Sequence, residues 1–253
     1  MKIGETEYPS LRGKVSDAEW QTRVETAALY RLIPMMGWDD MSITHVSARV
    51  PDEPHHYLFN PMGFLFEEVT ASSLIKIDIE GNIVAPTQFE ITLGGWYPMK
   101  AVHAVREDAN FVIHTHDDFG GAISARKEPL LPITQGAAFV LGDKLAYHDY
   151  EGVETYEELN PGLQASLGDA NRMILKNHGL LTLGYTAFHA FYRMYGLIKA
   201  CRIQILAGRG EELVQIRPDL LETYPAEIRR AQGNNPWPGL LRKLDKLDPS
   251  YKD

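Results

Sequence analysis

The order of strand-like and helix-like segments in the first third of the chain limits the folds open to it. Apolar side chains alternate or cluster as in β-strands over residues 43–50, 57–59, 74–79 and 83–85. Little helical spacing separates these segments, whereas a doubly wound parallel sheet needs a crossover helix between successive strands. The pattern therefore favours an α/β fold with a mixed, largely antiparallel sheet and helices packed on it.

Helical spacing begins before these strands and becomes common after them. Ser16 and Glu19 have the spacing of a capping box at the start of the first helix. We predict helices over residues 17–36, 96–106, 117–126, 156–167 and 186–209, further strands over 111–116, 144–148, 173–176 and 180–183, and a loop over 234–239. Residues 1–210 are expected to form one domain. Residues 211–253, which are polar and carry prolines, are expected to form an extension on the surface or on a neighbouring subunit.

Composition excludes several classes of partner. Of the 253 residues, 44% are hydrophobic, enough for a full core, and the net charge is −9 with no run of lysine or arginine. Nucleic acid and anionic membranes are therefore not expected partners. The single cysteine, Cys201, rules out an internal disulfide and a cysteine-based zinc site. No long apolar segment and no signal-like beginning is visible, so we expect a cytoplasmic location.

Three histidines carry the chemistry. His114 and His116 close the apolar run that begins at Phe111, and side chains at i and i+2 of a strand point to the same face. His178 follows a second strand-like run. Three imidazoles on rigid elements leave coordination positions open, which is typical of a catalytic metal site. Zinc is the first expectation for this divalent ion, and manganese, cobalt or iron would also be accepted.

Acidic and basic groups near these histidines are candidates for proton transfer. Asp117 could orient a histidine or add an oxygen ligand, and its position also predicts a helix N-cap. Glu90, in a loop, could swing toward the metal, or could simply be an exposed acid. His45 could serve as a general acid or base near neutral pH. We take His45, Glu90 and Asp117 as the candidate catalytic residues.

Five motifs together resemble the class II aldolase/adducin family along roughly residues 20–208. They are Thr44-His45-Val46-Ser47-Ala48-Arg49, the segment from Asn60 to Glu68 (NPMGFLFEE), Arg106-Glu107-Asp108-Ala109-Asn110, His114-Thr115-His116, and Asn177-His178-Gly179-Leu180-Leu181. The resemblance implies a three-layer α/β/α fold around a mostly antiparallel sheet, a divalent metal on the three histidines, and a homotetramer with active sites between subunits. It also places substrate contacts at Ser47, Gly63, Gly94 and Gly95.

One departure from the family pattern bears on the reaction. Sugar-phosphate aldolases of this family carry a Ser-Ser-Glu segment whose glutamate is the catalytic acid/base. Counting back from His114, that glutamate falls on Gly95, and the two serines fall on Leu93 and Gly94. The family's amide before the first-strand serine becomes His45. This chain therefore resembles the adducin-like subgroup that lacks the usual catalytic glutamate, and cleavage of a sugar phosphate is not expected.

Three hypotheses follow for function. The first is a metal-dependent lyase that cleaves a carbon–carbon bond, by retro-aldol reaction or decarboxylation, in a small unphosphorylated carbonyl or carboxylate substrate. The metal would stabilise the enolate. The second is a non-haem Fe(II) oxygenase on the same fold, since three neutral imidazoles suit Fe(II). The third is a non-catalytic adducin-like interaction module, which accounts for the missing glutamate but not for the three histidines.

Overall fold

A computed structural model of the chain describes residues 7–53, 55–152, 160–208, 212–224 and 235–253. Its centre is a seven-stranded sheet in the order β3-β2-β1-β4-β7-β6-β5. The strands are β1 (His45–Arg49), β2 (His56–Phe59), β3 (Ile75–Asp78), β4 (Phe111–Thr115), β5 (Leu145–His148), β6 (Arg172–Leu175) and β7 (Gly179–Gly184). All neighbouring strands are antiparallel except β5 and β6, so the predicted mixed, mostly antiparallel sheet is confirmed.

Eight helices are described in these segments. They are α1 (Asp17–Met35), α2 (Leu93–Val105), α3 (Asp118–Ser124), α4 (Gln135–Gly142), α5 (Asn160–Leu167), α6 (Ala187–Ala207), α7 (Pro218–Leu221) and α8 (Trp237–Leu247), and two 3-10 turns lie at Phe66–Glu68 and Pro249–Lys252. Side-chain caps start several of them: Ser16 accepts from the Glu19 amide, as its spacing predicted, and Thr186 accepts from the His189 amide. No helix in the described ranges is long and apolar enough to cross a membrane.

Some predicted elements differ from the structure. The strand predicted over 83–85 is reduced to a single bridge between Ile77 and Ile83. The loop predicted over 234–239 is partly wrong, because helix α8 already begins at Trp237, where Pro238 lies in the first turn and needs no amide partner. Helix α4 was not predicted. Of the helix predicted over 156–167, residues 156–159 lie outside the described residues, and residues 160–167 form α5.

Helices cover both faces of the sheet. Helices α1, α3, α4 and α6 pack on one face, and α2 with α5 on the other. Strands β4, β6 and β7 are buried along their whole length, as expected for the centre of such a sandwich. Near the C-terminus, Trp237 and Tyr251 are buried against the domain, and the Ala71 amide donates to the Tyr251 carbonyl. That part of the predicted extension packs on its own chain.

Candidate metal centre

Three imidazoles from two adjacent parts of the sheet meet at one point. His114 lies in β4, His116 directly follows that strand, and His178 lies in the turn between β6 and β7. Strand β4 pairs with β7, which brings the turn beside the end of β4. The Nε2 atom of His116 lies 2.9 Å from Nε2 of His114 and 2.9 Å from Nε2 of His178. The structure therefore brings the three predicted metal ligands together.

The opposite ring nitrogens are held by hydrogen-bond acceptors. Nδ1 of His114 donates to the Leu180 carbonyl over 2.9 Å, and Nδ1 of His116 donates to Oδ2 of Asp40 over 3.0 Å. In a neutral imidazole, a proton on Nδ1 leaves Nε2 with a bare lone pair. Lone pairs that face one another at 2.9 Å repel unless a cation lies between them. This donor set therefore fits a divalent metal ion, with a carboxylate and a carbonyl orienting the ligands.

The turn that carries His178 depends on two backbone positions. Asn177 has a φ of 58°, in the left-handed region that asparagine tolerates better than most residues. A Cβ atom at Gly179 would overlap the Thr115 carbonyl oxygen, so only glycine lets β7 start this close to β4. The turn geometry therefore explains why asparagine and glycine stand on either side of His178 in this motif.

Burial keeps the central histidine neutral. The pKa of His114 lies well below its usual value, because burial disfavours the charged ring and because positive charge on His178 and His116 would repel it. The side chain of His116 is 21% exposed, so the centre is open on that side. A neutral imidazole is the form that binds a metal, and one open side leaves room for a substrate.

His45 lies next to the three histidines. It is the direct cross-strand partner of His114 in the β1–β4 ladder. Its Nδ1 lies 3.0 Å from Oδ1 of Asn60, and its Nε2 points at Gly95. Burial lowers the pKa of His45 to about 4. The hydrogen bond to Asn60 raises this pKa by a smaller amount, and positive charge on His116 lowers it further. His45 is therefore a neutral imidazole at pH 7.

Gly95 and Gly94 form the first turn of α2 beside this imidazole. A Cβ atom built on Gly95 would overlap Nε2 of His45 and its neighbouring ring carbons. A side chain at position 95 and the observed position of the His45 ring therefore exclude each other. The glycine that removes a carboxylate from the family pattern also makes the space that an imidazole fills.

Ser47 does not join the site. It lies on the same face of β1 as His45, two residues further along, but there it is fully buried under α2. Its Oγ lies 2.8 Å from Nε2 of His103, a buried ring on that helix. Its hydroxyl is therefore used in packing β1 against α2, and the structure gives no support to the predicted substrate contact.

The other predicted residues lie at the edge of the site or serve local structure. Gly63 is exposed in the turn after β2, with a φ of 81°. The Glu90 carboxylate is exposed, and its backbone carbonyl accepts from the Met62 amide, which ties these two loops together. Asp117 is the N-cap of α3, and its Oδ1 accepts from the Phe119 and Gly120 amides.

Two residues of the site were missed in the sequence. Asp40, not Asp117, orients His116, and Asn60 contacts His45. Asp40 is 76 residues from its histidine in the chain, so no local spacing predicts the contact. Asn60 belongs to a motif that the sequence singled out, at the end of β2, but its partner became visible only once β1 and β2 were paired.

Comparisons with known proteins agree with this fold. The profile of the Class II Aldolase and Adducin N-terminal domain matches residues 24–205. The chain therefore belongs to the class II aldolase/adducin family, as its motifs predicted. Among its relatives is a Caulobacter vibrioides protein named "Putative aldolase class 2 protein", which is 47% identical over 252 residues, 96% of each chain. Mouse alpha-adducin is 40% identical over 268 residues, 96% of this chain but 36% of the adducin.

Solved structures give the same answer for the fold. An aldolase II superfamily protein from Pseudomonas syringae superposes with a TM-score of 0.90 and 42% identity, covering 97% of this chain and 100% of that one. An L-fuculose 1-phosphate aldolase from Glaciozyma antarctica superposes with a TM-score of 0.79 over 98% of this chain and 97% of that one. Its identity is 23%, so this second likeness shows the shared fold alone.

Proposed function

We propose that this protein is a metal-dependent lyase that cleaves a carbon–carbon bond in a small, unphosphorylated carbonyl or carboxylate compound. One observation carries the proposal: three histidine Nε2 atoms converge on one point, and His45, the cross-strand partner of His114, lies beside them with its Nε2 next to Gly95. Retro-aldol cleavage and decarboxylation both pass through a carbanion equivalent that a bound metal would stabilise, and retro-aldol cleavage also needs a base such as His45 for the substrate hydroxyl.

Each residue has a part in this proposal. His114, His116 and His178 would hold the divalent ion, zinc first among those that three imidazoles accept. When bound, the ion supplies a Lewis acid that stabilises the negative charge developing on substrate oxygen. Asp40 and the Leu180 carbonyl keep the ligand nitrogens aimed inward. His45 takes a proton from the substrate hydroxyl at Nε2 and returns it to the carbanion carbon.

The start of α2 supports an unphosphorylated substrate. Leu93 and Gly94 open this helix, and neither has a hydroxyl that could donate to a phosphate. An uncharged carbonyl or a carboxylate needs fewer hydrogen-bond donors than a phosphate dianion does. The start of α2 therefore suits the unphosphorylated substrate better.

A second candidate comes from the comparisons. The 40% identity to mouse alpha-adducin favours a non-catalytic interaction module built on the same fold. A module of that kind has no use for three converging imidazoles or for two acceptors that orient them. Metal content therefore separates the two candidates.

The test is to purify the protein anaerobically, without chelators or a metal-affinity tag, and to measure bound metals by mass spectrometry. We expect about one divalent ion per chain. His114→Ala should lose it, while His55→Ala, a change at an exposed histidine, should keep it. The loaded protein is then assayed with hydroxy-ketones and aromatic acids for cleavage products. Absence of metal after reloading would overturn the proposal in favour of the interaction module.

The same preparation tests the oxygenase hypothesis. The cluster of three histidines contains no carboxylate ligand, and such an all-imidazole set also suits Fe(II). Bound iron together with substrate-dependent oxygen consumption would replace the lyase proposal with an oxygenase. Cleavage that proceeds unchanged without oxygen, and that falls at least tenfold in His45→Gln, would support the lyase.

A further inference from the structure

We infer that Asn60 and Tyr30 are positioning residues that set the tautomer of His45, so that the proton lies on Nδ1, which faces Asn60, and the lone pair lies on Nε2, which is next to Gly95. The inference deepens the proposed function and rests on it where it concerns proton transfer. The tautomer itself is a property of the protein that can be measured without a substrate.

The orientation of the Asn60 amide follows from its neighbours. Asn60 is 3% exposed, and its Nδ2 donates to the Pro61 carbonyl over 3.2 Å. The reverse orientation would place the amide oxygen against that carbonyl oxygen, with no proton between them. Oδ1 therefore faces His45, and since an amide oxygen only accepts, the proton between Asn60 and His45 must sit on Nδ1 of the imidazole.

A hydrogen bond from Tyr30 stabilises this orientation of the Asn60 side-chain amide. Its hydroxyl is fully buried, lies 2.9 Å from Oδ1 of Asn60, and lies 2.8 Å from both the amide nitrogen and the carbonyl oxygen of Val46. The Val46 amide donates to the hydroxyl, whose own proton is directed to the Val46 and Asn60 oxygens. Burial raises the pKa of Tyr30, so the hydroxyl keeps its proton at neutral pH.

Two neighbours confine the His45 ring. Phe59 lies on one side with ring centroids 5.0 Å apart, and Gly95 closes against Nε2. Among the described residues, Asn60 is the only hydrogen-bond partner of the imidazole. The partner of one ring nitrogen decides which nitrogen is protonated, so Asn60 leaves the lone pair on Nε2. A base at this position needs that tautomer, because Nδ1 is engaged by Asn60 and only Nε2 is left to accept a proton.

The experiment measures the tautomer directly. Zinc-loaded protein with ¹⁵N-labelled histidine is studied by long-range ¹H–¹⁵N correlation, and His45→Gln assigns the signals of His45. The wild type should show a protonated Nδ1 and a bare Nε2. Asn60→Asp, which keeps an acceptor, should preserve this pattern. Asn60→Leu, which removes the acceptor, should move the proton to Nε2. Retention of the Nδ1 proton in Asn60→Leu would overturn the inference.

Matched measurements keep a structural role apart from a positioning role. If Asn60 had only a structural role, Asn60→Asp and Asn60→Leu would both have a lower thermal midpoint of unfolding, and the tautomer of His45 would stay unchanged in both. Tyr30→Phe, which removes only the hydroxyl, is the second variant should Asn60→Leu fail to fold, and it should give a mixture of tautomers. A Tyr30→Phe spectrum identical to wild type would remove Tyr30 from the inference.

Turnover then separates this inference from the proposed function. Once cleavage of a substrate is detected, Asn60→Leu should lose about 100-fold in kcat, since a proton on Nε2 removes the base. Asn60→Asp should recover most of that loss. A tautomer that changes while kcat stays constant would leave the positioning role standing and would remove His45 from the proposed mechanism.

Discussion

Gly95 is the residue on which the arrangement of this site depends most directly. A methyl group there would collide with Nε2 of His45, so Gly95→Ala should push the imidazole out of its place. We expect a loss of about 10²-fold or more in kcat, the usual contribution of a positioned acid or base. Metal content should stay at the wild-type level, because no ligand is touched. The measurement is kcat together with metal content for the same preparation.

Gly121→Ala is the matched control for that substitution. Gly121 is also a helical glycine, and a Cβ atom built on it meets nothing within 4 Å. Alanine there should leave turnover unchanged and stabilise α3 by up to about 1 kcal/mol. Wild-type turnover in Gly95→Ala would show that the His45 ring has room to move, and would contradict the close approach described above.

Asp40 is expected to tune metal affinity from outside the ligand set. Its carboxylate holds Nδ1 of His116, and loss of such a partner typically costs 10- to 100-fold in affinity. We predict this weakening in Asp40→Ala, measured by competition for zinc with a chromogenic chelator at fixed pH. Asp39→Ala, at the exposed neighbouring acid, is the control and should bind as the wild type does. Equal affinities for both variants would remove Asp40 from the site.

At the scale of helices and strands, the sequence predicted most of what holds the site. Strand β4 and the two strands around His178 were predicted because apolar runs and turn residues mark them clearly. Helix α4 was missed because its eight residues are almost all small or apolar, with no polar face to show a helical period. Contacts between elements, such as Asp40 with His116, depend on the fold and carry no local signal.

The packing of α2 on β1 makes stability depend on pH. His103 on α2 is buried against Ser47, Arg49 and Tyr57, and burial, followed by the charge of Arg49, lowers its pKa to about 3. In the unfolded chain the same group titrates near 6.5. The stabilisation of the folded protein by neutral His103 is therefore complete above pH 6.5 and is lost as the pH falls from there toward 3. Between pH 7.5 and 5 the loss should be about 2 kcal/mol.

Urea unfolding of the wild type and of His103→Gln at pH 7.5 and 5 measures that contribution. Glutamine can still hydrogen-bond Ser47 but does not titrate, so the variant should lose less stability on acidification by about 2 kcal/mol. His45 and His114 also have lowered pKa values, and they act equally in both proteins. The same pH dependence in both proteins would show that His103 titrates normally.

At the scale of the whole molecule, the surface around the site indicates self-association. Several large apolar side chains flank the site residues in sequence and are exposed on the single chain: Met41 (69%), Ile43 (57%), Met62 (49%), Leu65 (48%) and Leu93 (45%). Ile43 lies two residues before His45, Met62 precedes Gly63, and Leu93 precedes Gly94. A contiguous exposed apolar patch typically marks an interface. Together with the homotetramer that the family resemblance implies, these exposures lead us to predict that a neighbouring subunit covers these side chains.

Light scattering coupled to size-exclusion chromatography tests the assembly. The wild type should elute with four times the chain mass of 28.5 kDa. Ile43→Glu should give a smaller species, because a charge would be buried in the interface at a cost of several kcal/mol. Val214→Glu is the matched control, since Val214 is 90% exposed and lies far from the site in the chain. A monomeric wild type would mean that one chain completes the site by itself, and the apolar surface around His45 would then be the wall that receives the substrate.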